Sequence, residues 1–379
     1  MRNKDISFYH RAYEAAQPLG LVGRWSLAVA EHLRAIKENF PNGAKIDGLY
    51  CGTATSVNPL DAKVAVTRAG YDCSFTTVDL SERPLKNLSP ANRPVMADAI
   101  RLPFLAESFN LITTDFLFNM MPLELVIEII AEWARVLHED GVISTSVFTD
   151  DGQPGSWYKA ILKNLAAKHF FNQEVLRVAF SANGLDLTST DSFLANRPLL
   201  YHQKKYTHLV AVKSQDLEEQ KKARELVTLS MKIAATVNSE ATMAKTDVNE
   251  VLTDLVSGKY VLKLNDEGEL IGWMKMINYS NNWSELSSIW VDEEHRNKGI
   301  ASVLVKEMLT TNNQQNWWAA TQNPAAAAVL EHLGFEKKNT LDLPIKLLIE
   351  ILGDRGQVPG RILQAAKRNN RSIWVKMNS

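Results

Sequence analysis

The sequence predicts two α/β layers in succession, an open and mostly parallel sheet followed by a mixed sheet. Three observations lead there. The chain has 379 residues, more than one ordinary hydrophobic core holds, so two domains are expected. Up to residue 213, short apolar runs alternate with helical periods, the pattern of an open α/β sheet. Beyond residue 224, a pair of helices leads into a run of adjacent strands. Between the halves lies Ser214 to Ala223, SQDLEEQKKA, polar and densely charged. It reads as a linker or as the exposed start of a helix. The expected domains are therefore 1–213, with a helical and aromatic cover over 1–40, and 224–379.

Phe75 to Val78, Leu111 to Thr114 and Gly141 to Val147 are short apolar runs of buried-strand type. Pro122 to Leu137 carries Leu125, Ile129, Ile130, Trp133 and Leu137 near a 3.6-residue period, a helix with one apolar face. In the second half, helices are expected over about 218–237 and 246–256. Strands follow at Tyr260 to Leu264, Glu269 to Asn278 and Trp283 to Val291, the first two joined by a turn at Asn265 to Gly268. A helix from Gly299 to Leu309, a strand near Trp317, a helix from Pro324 to Leu333 and a closing strand at Arg371 to Met377 complete the layer.

Composition narrows the function classes. Hydrophobic residues at 45% and charged residues at 22% make a globular chain, not a disordered one. A formal net charge of -1 gives no basic field for nucleic acid or an anionic membrane. Two cysteines, Cys51 and Cys73, build neither a disulfide framework nor a metal cluster by themselves. No metal is expected. The polar start, Met1 to His10, has no apolar signal core, and no run of about 18 apolar residues occurs. A cytoplasmic location is the default expectation.

The sharpest local signal is strand, turn, helix over Ser287 to Leu309. The turn Arg296–Asn297–Lys298–Gly299–Ile300–Ala301 opens the helix. Gly299 and Ala301 allow close approach to the backbone, the helix start directs N–H groups outward, and Arg296 and Lys298 add positive charge. That combination suits a pyrophosphate. The helix is expected to bury Ile300, Val303, Leu304 and Met308. Arg296 to Ala301 resembles the R/Q-x-x-G-x-G/A motif of GNAT acyltransferases. Asn323 to Phe335, NPAAAAVLEHLGF, resembles that family's later segment, and the likeness covers roughly 250–340.

The resemblance implies transfer of an acyl group from acetyl-CoA or another acyl-CoA to a small-molecule amine. It places Ile289 and Val291 along the pantetheine and gives Asn323 a polar contact to the cofactor. An attacking amine must lose a proton, and Glu285, on the strand before the turn, is the candidate base. Two departures stand out. The late-helix tyrosine of the family is Leu330 here, with His332 on another helix face. The segment Pro344 to Asn369 is longer than a simple member needs, which suits a cover for the acceptor site or an interface.

In the first half, Lys45 to Ser56, KIDGLYCGTATS, is strand-like and then glycine-bearing, and Asp79 ends the next strand. A glycine turn after one strand and an acid after the next suit a nucleoside. Asp98 follows a third strand in MADAIRLP, and SFNLITTD, ending at Asp115, is a fourth. These segments resemble class I S-adenosylmethionine methyltransferases, a Rossmann-like fold. By resemblance, Asp79 with Leu80 meets the ribose, Asp98 with Ala99 lies by the adenine, and Gly52, Thr53 and Asp115 line the remainder. The family's acid and three glycines fall here on Gly48, Tyr50, Gly52 and Ala54, with Asp47 adjacent to the acid position. Asn119 and Met120 stand where many relatives carry two histidines. Cys51 reads as a small buried residue. The amphipathic stretch Phe8 to Trp25, with Tyr9, His10, Arg11, Tyr13 and Arg24, reads as sheet packing first and as a pocket cover second.

Three functions stay open on these residues: a bifunctional enzyme that acylates and methylates one small molecule, a single-activity acetyltransferase with a methyltransferase-like scaffold, and a non-enzymatic ligand sensor. Nucleic acid and membrane are not expected as partners, and a homo-oligomer is left open.

Overall fold

The computed structural model describes residues 28–53, 57–86, 88, 92–149, 169–195, 204–240, 243, 245–280, 282–313, 315–321, 323–339, 342–354 and 372–377. The chain divides into two compact units, Met1–Thr236 with Thr246–Thr253, and Val237–Lys245 with Asp254–Ser379. The aromatic stretch 8–25, Ala54 and residues 355–369 lie outside the described residues.

The first unit is built on a seven-stranded sheet ordered β3-β2-β1-β4-β5-β7-β6. Its strands are β1 (Lys45–Cys51), β2 (Asp72–Asp79), β3 (Pro94–Met96), β4 (Phe109–Asp115), β5 (Leu137–Val147), β6 (Leu185–Ala195) and β7 (Lys204–Lys213). The first five run parallel, and β7 is antiparallel to both β5 and β6. Helices α1 (Val29–Asn39), α2 (Val57–Arg68), the single turn α3 (Glu82–Leu85), α4 (Leu123–Val136) and α5 (Gln173–Ala182) complete the alternation. Helix α4 buries Val126, Ile129, Ile130 and Trp133, the face its period predicts. A second face of the sheet packs Ile36, Ile46, Tyr50, Phe75, Leu111 and Val142 into one core.

Residues 214–223 resolve into the helix-start alternative. Helix α6 (Leu217–Ser239) begins there, and Asp216 Oδ1 accepts from the Glu219 N–H at 2.9 Å, an N-cap. Helix α7 (Val248–Val256) follows.

The second unit carries a six-stranded mixed sheet ordered β12-β13-β11-β10-β9-β8. Strands β8 (Tyr260–Leu264), β9 (Leu270–Tyr279) and β10 (Trp283–Val291) form an antiparallel meander. Then come helix α8 (Ile300–Thr311), β11 (Asn316–Thr321), helix α9 (Pro324–His332), β12 (Glu336–Lys338), helix α10 (Ile345–Asp354) and β13 (Ser372–Lys376). The last strand does not close an edge. It inserts between β11 and β12, antiparallel to both.

Each face of this sheet has its own core. Met274, Met276, Leu286, Trp317 and Trp374 pack under α8 and α9 through Leu304, Val305, Met308 and Leu330. Trp283, Trp318, Ile373 and Val375 pack under α10 through Leu347 and Ile351. Gly272 lets α8 settle on β9, since a Cβ there would meet Ile300 Cγ2 at 3.1 Å and the Trp290 carbonyl at 3.2 Å. Val303, expected in the core, is 46% exposed, and Val305 is buried instead. Leu304 and Met308, four residues apart, set the helix phase, and Val305 falls on their side of it.

Candidate functional sites

The helix start in the second unit has the geometry its residues dictate. Asn297 and Gly299 both adopt left-handed backbone, φ 62° and 79°. Two such residues in three reverse the chain sharply enough for β10 to run into α8. A Cβ on Gly299 would meet nothing within 4 Å, so glycine is there for its backbone and the space above it is open. Gly299 caps α8 with no side-chain hydrogen bond, which leaves the first-turn N–H groups of Ile300 and Ala301 directed away from the helix. Lys298 is exposed beside them. Arg296 folds back: its Nε donates to the Val291 carbonyl at 3.1 Å and its Nη1 lies 3.3 Å from Glu293 Oε1. Arg296 therefore fixes the end of β10 as well as adding charge at the turn.

Upstream, the sheet forks. Strand β10 runs to Val291, but its parallel pairing with β11 covers only Trp283, Ser284 and Glu285. An irregularity between Leu286 and Ser288 in the β9 register bends β10 at that point. From Leu286 onward, through Ile289 and Val291, the edge of β10 that faced β11 is left to other partners. Past Val291 the chain passes through a single 3-10 turn, Glu293–His295, before the Gly299 turn.

Glu285 is the last paired residue before the fork and is 3% exposed. Its Oε2 accepts from the Tyr279 hydroxyl at 2.9 Å. The Tyr279 ring in turn lies 6.1 Å, centroid to centroid, from Trp318, the residue paired with Glu285 on β11. Leu343 and Leu347 pack on this same face. The described part of the long segment, 344–354, thus covers the side of the sheet that carries Glu285. Tyr279 escaped the sequence reading because a tyrosine at a strand end carries no spacing signal.

Asn323 caps α9, its Oδ1 accepting from the Ala325 N–H at 2.9 Å, and it is exposed. Leu330 is a core residue, 5% exposed, and His332 is on the outside of the helix. Neither brings a proton donor to the fork.

In the first unit, the predicted residues follow the carboxyl ends of β1, β2, β3 and β4. Gly52 has φ 66° and donates its N–H to the Val78 carbonyl at 2.9 Å. Thr53 is fully buried. Asp79 is 6% exposed and its Oδ1 accepts from the Ser81 N–H at 2.8 Å, while Leu80 is 47% exposed. Asp98 is exposed, accepts from the Ile100 N–H at 3.2 Å, and is followed by half-buried Ala99.

Two of the family's positions, Gly48 and Tyr50, are filled differently. A Cβ on Gly48 would lie 2.5 Å from Phe75 Cε1, so the phenyl ring occupies the room an acid would need. Asp47 does not replace that acid. Its carboxylate accepts from Ser74 Oγ at 2.6 Å and pairs with Lys45 at 3.2 Å, and the Ser74 bond foremost holds its pKa below the usual value. Tyr50 points into the core and not into the turn. It is fully buried, and its hydroxyl donates to Asp115 Oδ2 at 3.2 Å.

Asp115 is thereby drawn inward. Its Oδ1 lies 3.3 Å from His32 Nε2, and the two side chains are each 1% exposed. Ser144 links His32 at 2.7 Å to His208 at 3.1 Å. Burial, and then the charges of His32 and Arg34, hold the His208 imidazole well below its ordinary pKa, so it stays neutral. Asp115 is the one member singled out in the sequence, as a cofactor-lining residue; its partners, scattered over 32–208, carry no spacing signal. Burial pushes the Cys51 thiol far up, which suits a packed residue and no nucleophile. Asn119 ties the ends of β5 and of the segment before α5. Its amide donates to the Phe148 and His169 carbonyls at 2.9 and 2.7 Å and accepts from the Phe148 N–H at 2.8 Å.

Among the described residues, no group of three or more His, Cys, Asp or Glu could hold a metal ion, and no helix is long and apolar enough to cross a membrane. Residues 224–335 match the sequence model of the acetyltransferase (GNAT) family, and residues 50–145 match that of a methyltransferase domain. No curated protein matches the chain. Similar solved structures include a Haemonchus contortus phosphoethanolamine N-methyltransferase 2 in complex with S-adenosyl-L-methionine, at 13% identity and TM-score 0.40, over 49% of this chain and 53% of that one. A SAM-dependent methyltransferase from Methanosarcina mazei is similar at 15% identity and TM-score 0.38, over 47% of this chain and 96% of that one.

Proposed function

From a chain that carries both a methyltransferase domain and a GNAT-family acetyltransferase domain, and is on that account a transferase, we propose an enzyme that acetylates the amine of a small molecule with its C-terminal domain and methylates the same molecule with its N-terminal domain. The observation that carries the acetyl-transfer reading is the fork. A strand edge opens right after a buried carboxylate and leads into a left-handed glycine at a helix start.

Acetyl-CoA supplies an acyl group already activated as a thioester, and S-adenosylmethionine supplies an electrophilic methyl group. The N–H groups of Ile300 and Ala301, with Lys298, receive the pyrophosphate, and Gly299 keeps the space above the turn clear. The backbone of Ile289 and Val291 lines the pantetheine, and Asn323 adds a polar contact. Glu285 takes the proton that the amine nitrogen sheds as its bond to the acyl carbon forms and the carbon–sulfur bond breaks. Leu330 donates nothing, so the sulfur leaves as thiolate or takes its proton from solvent or from another side chain. In the N-terminal domain, Asp79 suits ribose hydroxyls, and Asp98 with Ala99 lies by the adenine.

A second reading keeps acetyl transfer and makes the N-terminal domain a scaffold. The Phe75 ring in the acid's place favours it, as does Leu117 Cδ1, 2.6 Å from where a Cβ on Gly52 would lie.

Thermal unfolding with acetyl-CoA, with S-adenosylmethionine and with neither tests both. A ligand at 100 times its dissociation constant stabilises the folded state by about 2.7 kcal/mol. Release of CoA thiol on a panel of spermidine, lysine, phenethylamine and glucosamine then tests turnover. A shift with both ligands supports the bifunctional enzyme, and a shift with acetyl-CoA alone supports the scaffold reading. No shift with acetyl-CoA overturns the acetyltransferase assignment.

A further inference from the structure

We infer that Tyr279 is the positioning residue of acyl transfer, holding the Glu285 carboxylate in its charged form at the mouth of the fork. The inference rests on the reading of Glu285 as the base and adds what makes a buried glutamate fit for that work.

A carboxylate that is 3% exposed loses nearly all its water, and burial by itself favours the neutral acid, which accepts no proton. A hydroxyl that donates to the charged form opposes this. The Tyr279 hydroxyl does so at 2.9 Å on Oε2, a charge-assisted bond. The tyrosine is itself held. Its ring lies against Trp318 and packs on the cluster formed by Trp283, Leu343 and Leu347. Strand register adds a second constraint. Tyr279 pairs with Trp283 and Glu285 pairs with Ile277, so phenol and carboxylate rise from neighbouring strands on one face. Helix α10, through Leu347, thereby contributes to the orientation of the carboxylate.

Among the described residues, the other ionisable groups on this side of the sheet are paired or exposed, Glu336 with Lys338 on β12 at 2.7 Å among them. Lys275 on β9 is paired with Asp254 at 2.6 Å. On α10, Lys346 is exposed, and Glu350 accepts from the Ser280 N–H at 2.8 Å. Neither change at position 279 described below alters them.

The test titrates the Glu285 carboxyl by carbon-13 NMR on the full chain labelled at the glutamate side-chain carboxyls, with the resonance identified by its loss in Glu285→Gln. Tyr279→Phe removes one oxygen and keeps the ring. It is expected to raise the carboxyl pKa by about one unit, roughly what loss of one charge-assisted hydrogen bond produces. Tyr279→3-fluorotyrosine, a more acidic donor of nearly the same shape, is expected to lower it, and it keeps the test decisive if the phenylalanine variant folds poorly. A titration unchanged in both variants overturns the inference. The pH profile of kcat/KM, taken with the panel amine turned over fastest, is expected to move its acidic limb upward in Tyr279→Phe, with activity recovering at high pH. If Glu285→Gln keeps the wild-type profile, Glu285 is not the base and the pair has no catalytic meaning, whatever the titration shows.

Discussion

Substitution at Gly299 separates two things the turn does, adopting left-handed backbone and leaving room for an anion. The residue sits at φ 79°, where a Cβ costs about 1–2 kcal/mol for any non-glycine residue. A Cβ there touches nothing within 4 Å, so Gly299→Ala carries that backbone cost and no clash. It is expected to lower the folding stability by about 1 kcal/mol. Gly299→Glu carries the same backbone cost and adds a carboxylate at the helix start. Two like charges about 4 Å apart repel by about 4 kcal/mol at the effective dielectric of a protein surface, and exposure and salt reduce this to roughly 2. Binding of acetyl-CoA, measured by calorimetry, is therefore expected to weaken about 30-fold or more from alanine to glutamate, at equal melting temperature. The difference should shrink between 50 and 500 mM salt. Equal acetyl-CoA affinity in the two variants would refute the assignment of the pyrophosphate to this turn.

Other expectations concern the cores. His208 is buried and neutral, so below its ordinary value of 6.5 the unfolded chain binds a proton that the folded one does not. Stability is expected to fall by about 1.4 kcal/mol per pH unit from this residue as pH drops below 6.5, and urea midpoints of wild type and His208→Gln should converge there. Asp254→Asn takes the carboxylate partner from Lys275, whose side chain is only 16% exposed, and is expected to cost about 3 kcal/mol in denaturant unfolding. Gly48→Asp restores the family's acid but drives a Cβ into Phe75, so a loss of roughly 1–3 kcal/mol is expected. Phe75→Ala in the same chain should relieve that clash, which a comparison of melting temperatures would check.

Local rules carried much of the fold. The Asn265 to Gly268 turn, the 3.6-residue period of α4 and the glycine at the start of α8 are set by neighbours in sequence, and each stands where its residues place it. Strand order in the second sheet was less accessible. Nothing in the residues 372–376 distinguishes an edge strand from one inserted between β11 and β12, because pairing is decided by strands distant in the chain. Tyr50 illustrates a subtler loss. In a central parallel strand both faces are buried, so alternation does not tell which face a residue takes. A tyrosine at one of the family's glycine positions is a core residue holding Asp115. The partnership of Tyr279 with Glu285 needed the register of two strands before it could be seen.

The fork in the second sheet has a consequence for how the protein survives between reactions. A sheet whose central strands part company carries an edge in its middle, with the amide groups of β10 beyond Glu285 released from β11. Sheet edges are where chains add to one another, and most folds hide theirs or arm them with charge. Here the opened length of β10, Ser287 to Val291, is half-buried. A slender ligand with amides of its own that pairs along β10 closes that edge, so its binding is expected to lower the tendency of the chain to self-associate.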